Sequence, residues 1–174
     1  ERLKRMINNI LDFSRKENNK LTYHLKKCDL LEVVNATMEE MNYWLGINKF
    51  EVTLDLQENI RAVVDPEGIK QVLSNLISNA IKYSDIKKKL IVRLYKKRGK
   101  AVIEVEDYGI GIPEEKQKSI FEKFYRINSK KNENIGGTGL GLTVSKDIIE
   151  AQNGKLLVRS KINEGSTFTI ELNI

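Results

Sequence analysis

A chain of 174 residues with 40% hydrophobic content can fill the core of one domain with an added helix, and 31% charged residues with only 2 prolines argue against disorder. The formal charge of +6 admits a nucleic-acid binder, but the basic residues fall in short groups without interleaved aromatics (Lys87-Lys88-Lys89, Lys96-Lys97-Arg98, Lys130-Lys131). A solvated surface accounts for them, so no nucleic-acid partner is expected. No apolar run approaches the roughly 20 residues of a membrane span, and no secretory signal is expected at the start of the chain. The single Cys28 allows no internal disulfide and fits a reducing compartment.

In chain order, residues 1–16 place Leu3, Met6, Ile7, Ile10 and Leu11 at helical spacing. Tyr23 and Leu25 then flank His24 in a predicted short strand, which makes His24 an ordinary surface or sheet residue. Asp29 followed by Glu32 predicts a capped helix over about 30–45, with Val33, Val34, Met38, Met41, Trp44 and Leu45 in the core and Gly46 ending it. Asn35-Ala36-Thr37, inside that helix, matches a glycosylation acceptor only by chance. Alternation predicts a strand over 50–56, and a second follows at 60–64. Asp65-Pro66 supplies an N-cap and a first-turn proline for a long helix, whose apolar stripe runs from Ile69 through Val72, Leu73, Leu76, Ile77 and Ala80 to Ile81. Strands over 90–95 and 101–106 form a hairpin about Arg98-Gly99, and another joins 156–159 to 167–172 through Asn163-Glu164-Gly165. No internal repeat is evident. Long helices beginning near 30, 66 and 141 with about five strands predict an α/β (α+β) two-layer sandwich.

Three stretches carry chemistry. The first is Glu104-Val105-Glu106-Asp107-Tyr108-Gly109-Ile110-Gly111-Ile112-Pro113, where an apolar strand ends in an acceptor-only carboxylate. Two glycines let the backbone approach a flat ligand, and Pro113 fits the first turn of a new helix. In the second, Gly136-Gly137-Thr138-Gly139-Leu140-Gly141-Leu142 opens directly into apolar residues at helical spacing from Thr143 to Ala151. A glycine-rich loop feeding a helix N-terminus presents free amides and the positive end of the dipole to an anion, usually a phosphate. No Lys-Ser or Lys-Thr follows, and Leu142 stands where the dinucleotide fingerprint needs glycine. In the third, Asn75, Asn79, Lys82 and Tyr83 cluster along one side of the helix that begins at Pro66. Two carboxamides, an ammonium and an aromatic ring suit a metal-bound polyphosphate carrying a base, and asparagine oxygens suit Mg²⁺. Taken singly, each stretch also reads as ordinary structure: a turn, a flexible loop, a solvated polar face.

In order, Asn75-x-x-x-Asn79-x-x-Lys82-Tyr83, Asp107-x-Gly109-x-Gly111, Phe121-x-x-Phe124-Tyr125-Arg126, Gly137-x-Gly139-x-Gly141 and Gly165-Ser166-Thr167-Phe168 resemble the nucleotide-binding boxes of the sensor histidine kinases of two-component systems. The resemblance covers residues 65–174 and implies a Bergerat ATP-binding fold, a mixed, mainly antiparallel sheet of about five strands packed against three helices. By that resemblance Asp107 accepts from the adenine amino group, with Gly109, Gly111 and Ile112 lining the base pocket. Asn79 coordinates Mg²⁺ and Asn75 supports the metal and the phosphates. Lys82 reaches a phosphate and Tyr83 stacks near adenine. Gly137, Thr138, Gly139, Leu140, Gly141 and Leu142 form the phosphate loop. Phe121, Phe124 and Tyr125 lead into a lid over about 127–138, Arg126 approaches the γ-phosphate, and Thr167 braces the pocket from behind.

The resemblance also separates reaction types. In the related gyrase, chaperone and mismatch-repair ATPases, a glutamate one turn before the metal asparagine activates water. Asn75 stands there in this chain and cannot take a proton at neutral pH, so the site looks built for transfer more than for hydrolysis. The implied activity is that of an ATP-dependent protein-histidine kinase, whose receiver-domain partner, a response regulator, takes the phosphate next. The acceptor histidine of the family lies on a dimerisation hairpin, in a box of acidic, basic, Thr and Pro residues. No such box surrounds His24, the chain's one histidine. Residues 1–16 look like the end of the hairpin's second helix, 17–28 like a linker with a short strand, and 29–174 like the catalytic and ATP-binding domain. A homodimeric parent and a cytoplasmic location for this domain are implied, whether or not the parent is membrane-anchored. The rival readings are a relative of the anti-sigma kinases, which transfer to serine and fit residues 1–16 poorly, and a basic nucleic-acid binder.

Overall fold

The computed structural model describes residues 22–84, 87–127 and 136–174. The predicted helix over 1–16 and most of the expected lid lie outside the described residues. Strand β1 (Lys26–Asp29) opens the described chain and leads into helix α1 (Leu30–Ile47), where Asp29 Oδ1 accepts from the Leu31 N–H at 2.9 Å. Such a cap contributes about 1 kcal/mol. The strand expected at Tyr23 and Leu25 begins later, because Val64 gives Lys26 the first cross-strand partner. Gly46 does not end α1. The helix runs on to Ile47, Asn48 caps it with Nδ2 on the Trp44 carbonyl at 2.8 Å, and Lys49 takes the left-handed φ of 58°.

After β2 (Glu51–Leu56), strand β3 (Arg61–Val64) pairs antiparallel with β1 in a small separate sheet. Helix α2 (Pro66–Tyr83) follows, with Asp65 accepting from the N–H groups of Glu67 and Gly68. Strands β4 (Lys89–Lys97) and β5 (Lys100–Asp107) form the expected hairpin, and its two turn residues, Arg98 and Gly99, both take positive φ (50° and 74°) as a type I′ turn requires. Pro113 opens no full helix. The chain makes only two 3₁₀ turns, Glu114–Lys116 and Ser119–Phe121, because Gln117 Nε2 is drawn back to the carbonyls of Ile112 (3.2 Å) and Ser160 (2.8 Å). Helix α3 (Gly141–Glu150), β6 (Lys155–Lys161) and β7 (Gly165–Asn173) complete the chain.

The large sheet has the order β2-β4-β5-β7-β6, with β2 parallel to β4 and every other pair antiparallel. Its inner face packs on the helices: Leu90, Leu94, Ile103 and Ile170 are fully buried with Leu30, Ile69, Leu73, Leu76 and Ile77. Each such side chain stabilises the fold by roughly 1.5–3 kcal/mol. On the outer face Arg93 pairs with Glu106 at 2.6 Å and Tyr95 donates to Glu104 at 2.9 Å.

Strand parity positions the site. Successive side chains alternate across the sheet, so Asp107 shares the inner face with Ala101, Ile103 and Val105 and ends β5 beneath the helices. Its partner in β7 is Ser166. At the other end of the helix layer, buried Gln152 accepts from the Asp65 N–H at 2.6 Å and donates to the Ile148 carbonyl at 2.9 Å, tying the end of α3 to the start of α2. Among the described residues, no helix is long and apolar enough to cross a membrane.

Candidate functional site

A cavity of about 350 Å³ opens where α2, the end of β5, the glycine loop and the start of α3 converge. It brings together Asn75, Asn79, Lys82 and Tyr83 of α2 with Asp107 at the end of β5 and Gly111 and Ile112 beyond it. Tyr125, Arg126, Gly137, Thr138, Gly139, Gly141 and Leu142 line the opposite wall. Residues from four separate sequence stretches therefore share one space.

Asp107 is the most perturbed ionisable group there. It is only 8% exposed, and its carboxyl is pushed up to about 6, chiefly by burial, against the opposing pull of the Gly109 and Ser166 backbone N–H groups. The Gly109 bond measures 2.8 Å. The loop beyond is anchored by the Ile110 N–H on the Tyr83 carbonyl at 3.0 Å, which joins the carboxylate end of β5 to the C-terminus of α2. Gly111 has a φ of 70°, and a Cβ there would run into the Lys161 carbonyl. No larger residue fits that turn without displacing β6.

On the facing wall, α3 starts with no side-chain cap at Leu140, so first-turn N–H groups are left for a ligand. Gly139 has a φ of 72°, and a Cβ there would lie 2.7 Å from the Phe124 carbonyl carbon. Phe124 itself has a φ of 61° and donates its N–H to the Gly139 carbonyl at 3.1 Å. Arg126 Nη1 donates to the Gly137 carbonyl at 3.4 Å. These contacts fasten the segment at 124–126 to the glycine loop. Asn75, 9% exposed, donates through Nδ2 to the Gly141 carbonyl (3.4 Å) and to Ser145 Oγ (3.3 Å).

Five of the expected site residues lie off the cavity wall. Thr167 pairs with Glu106 and takes the outer parity of β7, while its neighbours Ser166 and Phe168 line the cavity. Gly109 sits behind the wall, packed against the Tyr83 carbonyl and Ser84 Oγ, and acts through its N–H on Asp107. Leu140 is buried and accepts the Val144 N–H at 2.9 Å, a packing role at the foot of α3. Phe121 takes the Thr143 hydroxyl on its carbonyl at 3.0 Å, and Phe124 is 63% exposed on the outside of the segment. Gly136, Ile110, Ser166 and Phe168 stood inside the motifs without a role of their own, while Ser78 and the apolar Met41, Trp44, Ile81, Ile120 and Ile127 carried no site signal in the sequence. Ser166 could have been found by pairing parity with Asp107. Met41 and Trp44 carried only a core signal.

The residues fit a nucleotide with its metal. Among the described residues no group of three or more His, Cys, Asp or Glu could hold a metal ion. The donors at hand are neutral carboxamides, which suit a cation delivered with phosphate oxygens.

Residues 64–174 match the family described as histidine kinase-, DNA gyrase B- and HSP90-like ATPases. The circadian input-output histidine kinase CikA of Synechococcus elongatus is 34% identical over 98% of this chain, and the signal transduction histidine-protein kinase ArlS of Staphylococcus aureus is 30% identical over 97%. The chain spans 23% and 37% of the lengths of those two relatives. Among solved structures, the Acinetobacter baumannii histidine kinase AdeS superposes with a TM-score of 0.79 at 29% identity, covering 98% of this chain and 78% of that one. The catalytic domain of the histidine kinase ThkA, in a nucleotide-free form, gives 0.75 at 27% identity over 86% of this chain and 95% of its own. The two-layer sandwich, the convergent cavity and these likenesses agree, and the chain belongs to the histidine kinase-, DNA gyrase B- and HSP90-like ATPase family.

Proposed function

We propose that this chain is the catalytic, Mg-ATP-binding part of a sensor histidine kinase and donates the γ-phosphoryl group of ATP to a histidine on a dimerisation hairpin. The observation that carries this reading is the composition of α2 at the cavity, where Asn75 and Asn79 stand together and no carboxylate occupies the position that would activate water. Asp107 is the acceptor for the exocyclic amine of adenine, against which Gly111 and Ile112 pack. Asn79 and Asn75 offer amide oxygens to Mg²⁺, which would neutralise polyphosphate charge. Lys82, the glycine loop and the open first turn of α3 hold the phosphates, and Arg126 is placed to meet charge that develops as the terminal group leaves.

In this reading residues 1–16 end the hairpin's second helix, 17–28 link it and 29–174 form the catalytic domain. The parent acts as a homodimer and passes the phosphate to an aspartate of a response regulator. His24, exposed beside the β1–β3 sheet with its backbone N–H donated to Asp65 Oδ2 at 3.2 Å, lies outside any box of acidic, basic, Thr and Pro residues and is not the acceptor in this reading.

The test is incubation of the chain with γ-labelled ATP, alone and with the parent's hairpin supplied separately. The expected result is acid-labile label on the hairpin and slow phosphate release by the chain alone. Rapid phosphate release without transfer would overturn the kinase reading in favour of a hydrolase.

A further inference from the structure

Asn75 can serve a cation only through Oδ1, and a carboxamide is free to present either end unless something selects one. Two groups on α3 make that selection. The Gly141 carbonyl, which can only accept, lies 3.4 Å from Nδ2, and Ser145 Oγ lies 3.3 Å from the same nitrogen. Ser145 is fully buried, with 0% exposure, so water does not compete for its hydroxyl. It stands one helical turn after Gly141, and the two acceptors together occupy both protons of the Asn75 amide. Oδ1 is thereby left as the end available to the cavity that Asn75 lines.

We propose that Ser145 is a positioning residue that fixes the Asn75 carboxamide with its oxygen toward the metal and phosphates. It couples the orientation of a metal donor on α2 to α3, the helix into which the phosphate loop opens. The inference rests on the reading of Asn75 as a donor to the metal-nucleotide complex. Ser145 does not line the cavity, and its hydroxyl meets the site through Asn75, so its removal is expected to act through that residue. Loss of one neutral hydrogen bond corresponds to about a 3- to 10-fold effect.

The test is a calorimetric double-mutant cycle with Ser145→Ala, Asn75→Ala and the pair, titrated with a non-hydrolysable ATP analogue with and without Mg²⁺. Ser145→Ala is expected to weaken Mg²⁺-dependent binding about 3- to 10-fold, leave metal-free binding within about 2-fold, and add nothing in the Asn75→Ala background. Wild-type affinity in Ser145→Ala, with Asn75→Ala weakened, would overturn the positioning role and leave the site reading standing. A Ser145→Ala loss that persists undiminished beside Asn75→Ala would also overturn it. Unchanged Mg²⁺-dependent binding in Asn75→Ala would overturn the metal reading itself. NMR of the wild-type chain gives a second measurement that needs no variant. Slow exchange of both Asn75 Nδ2 protons with solvent is expected, and exchange as fast as that of an exposed asparagine amide would contradict the proposal.

Discussion

Replacing Asp107 by Asn should strengthen the fold and weaken the ligand site at the same time. Burial raises the Asp107 carboxyl from an ordinary 3.8 to about 6. A raised folded-state value means that the group's contribution to stability is complete below about pH 4 and is lost as pH rises through about 6. By linkage, the raised value then costs roughly 3 kcal/mol at pH 7.5 and about half that at pH 5. Asn carries no charge to desolvate but keeps one oxygen where the carboxylate has two, so one of the two backbone N–H bonds is lost at about 1 kcal/mol. The variant should therefore be more stable by about 2 kcal/mol at pH 7.5 and by under about 1 kcal/mol at pH 5. Its amide would also set a donor against the adenine amine, which removes a charged hydrogen bond of about 1.5–3 kcal/mol and raises Kd about 10- to 150-fold. Urea denaturation at the two pH values reads the first effect. The fluorescence of Trp44, the only tryptophan and part of the cavity wall, reads the second. A stability difference that is flat between pH 5 and 7.5 would refute the burial argument, and an unchanged Kd would refute the base pocket.

Two further outcomes follow from the packing. Gly139→Ala places a methyl group against the Phe124 backbone at a positive φ, at a strain of about 1–3 kcal/mol. Nucleotide affinity should fall while the circular dichroism of the fold is unchanged, and wild-type affinity would mean that the loop does not depend on Phe124. Gln152→Ala leaves the Asp65 N–H without its partner and opens a small cavity under the start of α2. A loss of about 2–3 kcal/mol in urea denaturation is expected, with nucleotide Kd unaltered below the transition. A change in Kd without a change in stability would contradict a purely structural role for Gln152.

Much of this architecture was legible because local signals agreed with the global fold. Asp29 and Asp65 each cap the helix they precede, the apolar stripe of α2 is the buried one, and Arg98-Gly99 turns the hairpin where expected. The polar side of α2 was legible too, since Asn75, Asn79 and Lys82 have no core function to explain their spacing. What escaped depended on tertiary context. Thr167 and Ser166 differ only in strand parity, and parity is fixed by the ladder that sets Ser166 opposite Asp107. Met41 and Trp44 serve as wall and as packing at once, so hydrophobic periodicity marked them only as core. Pro113 carries a helix-start signal that Gln117 overrides through bonds to Ile112 and to distant Ser160. Gly46 is an available stop that α1 does not use, because Asn48 and Lys49 close the helix instead.

The central claim is a cavity that binds nucleotide through Asp107 and metal only together with phosphates, and calorimetric titration tests it most directly. Wild-type chain and Asn79→Ala would each be titrated with a non-hydrolysable ATP analogue, with and without Mg²⁺, and with Mg²⁺ alone. One-to-one binding that Mg²⁺ strengthens in the wild type but not in Asn79→Ala, with no measurable uptake of Mg²⁺ alone, is the predicted result. Absence of nucleotide binding, or tight Mg²⁺ binding without nucleotide, would contradict the account.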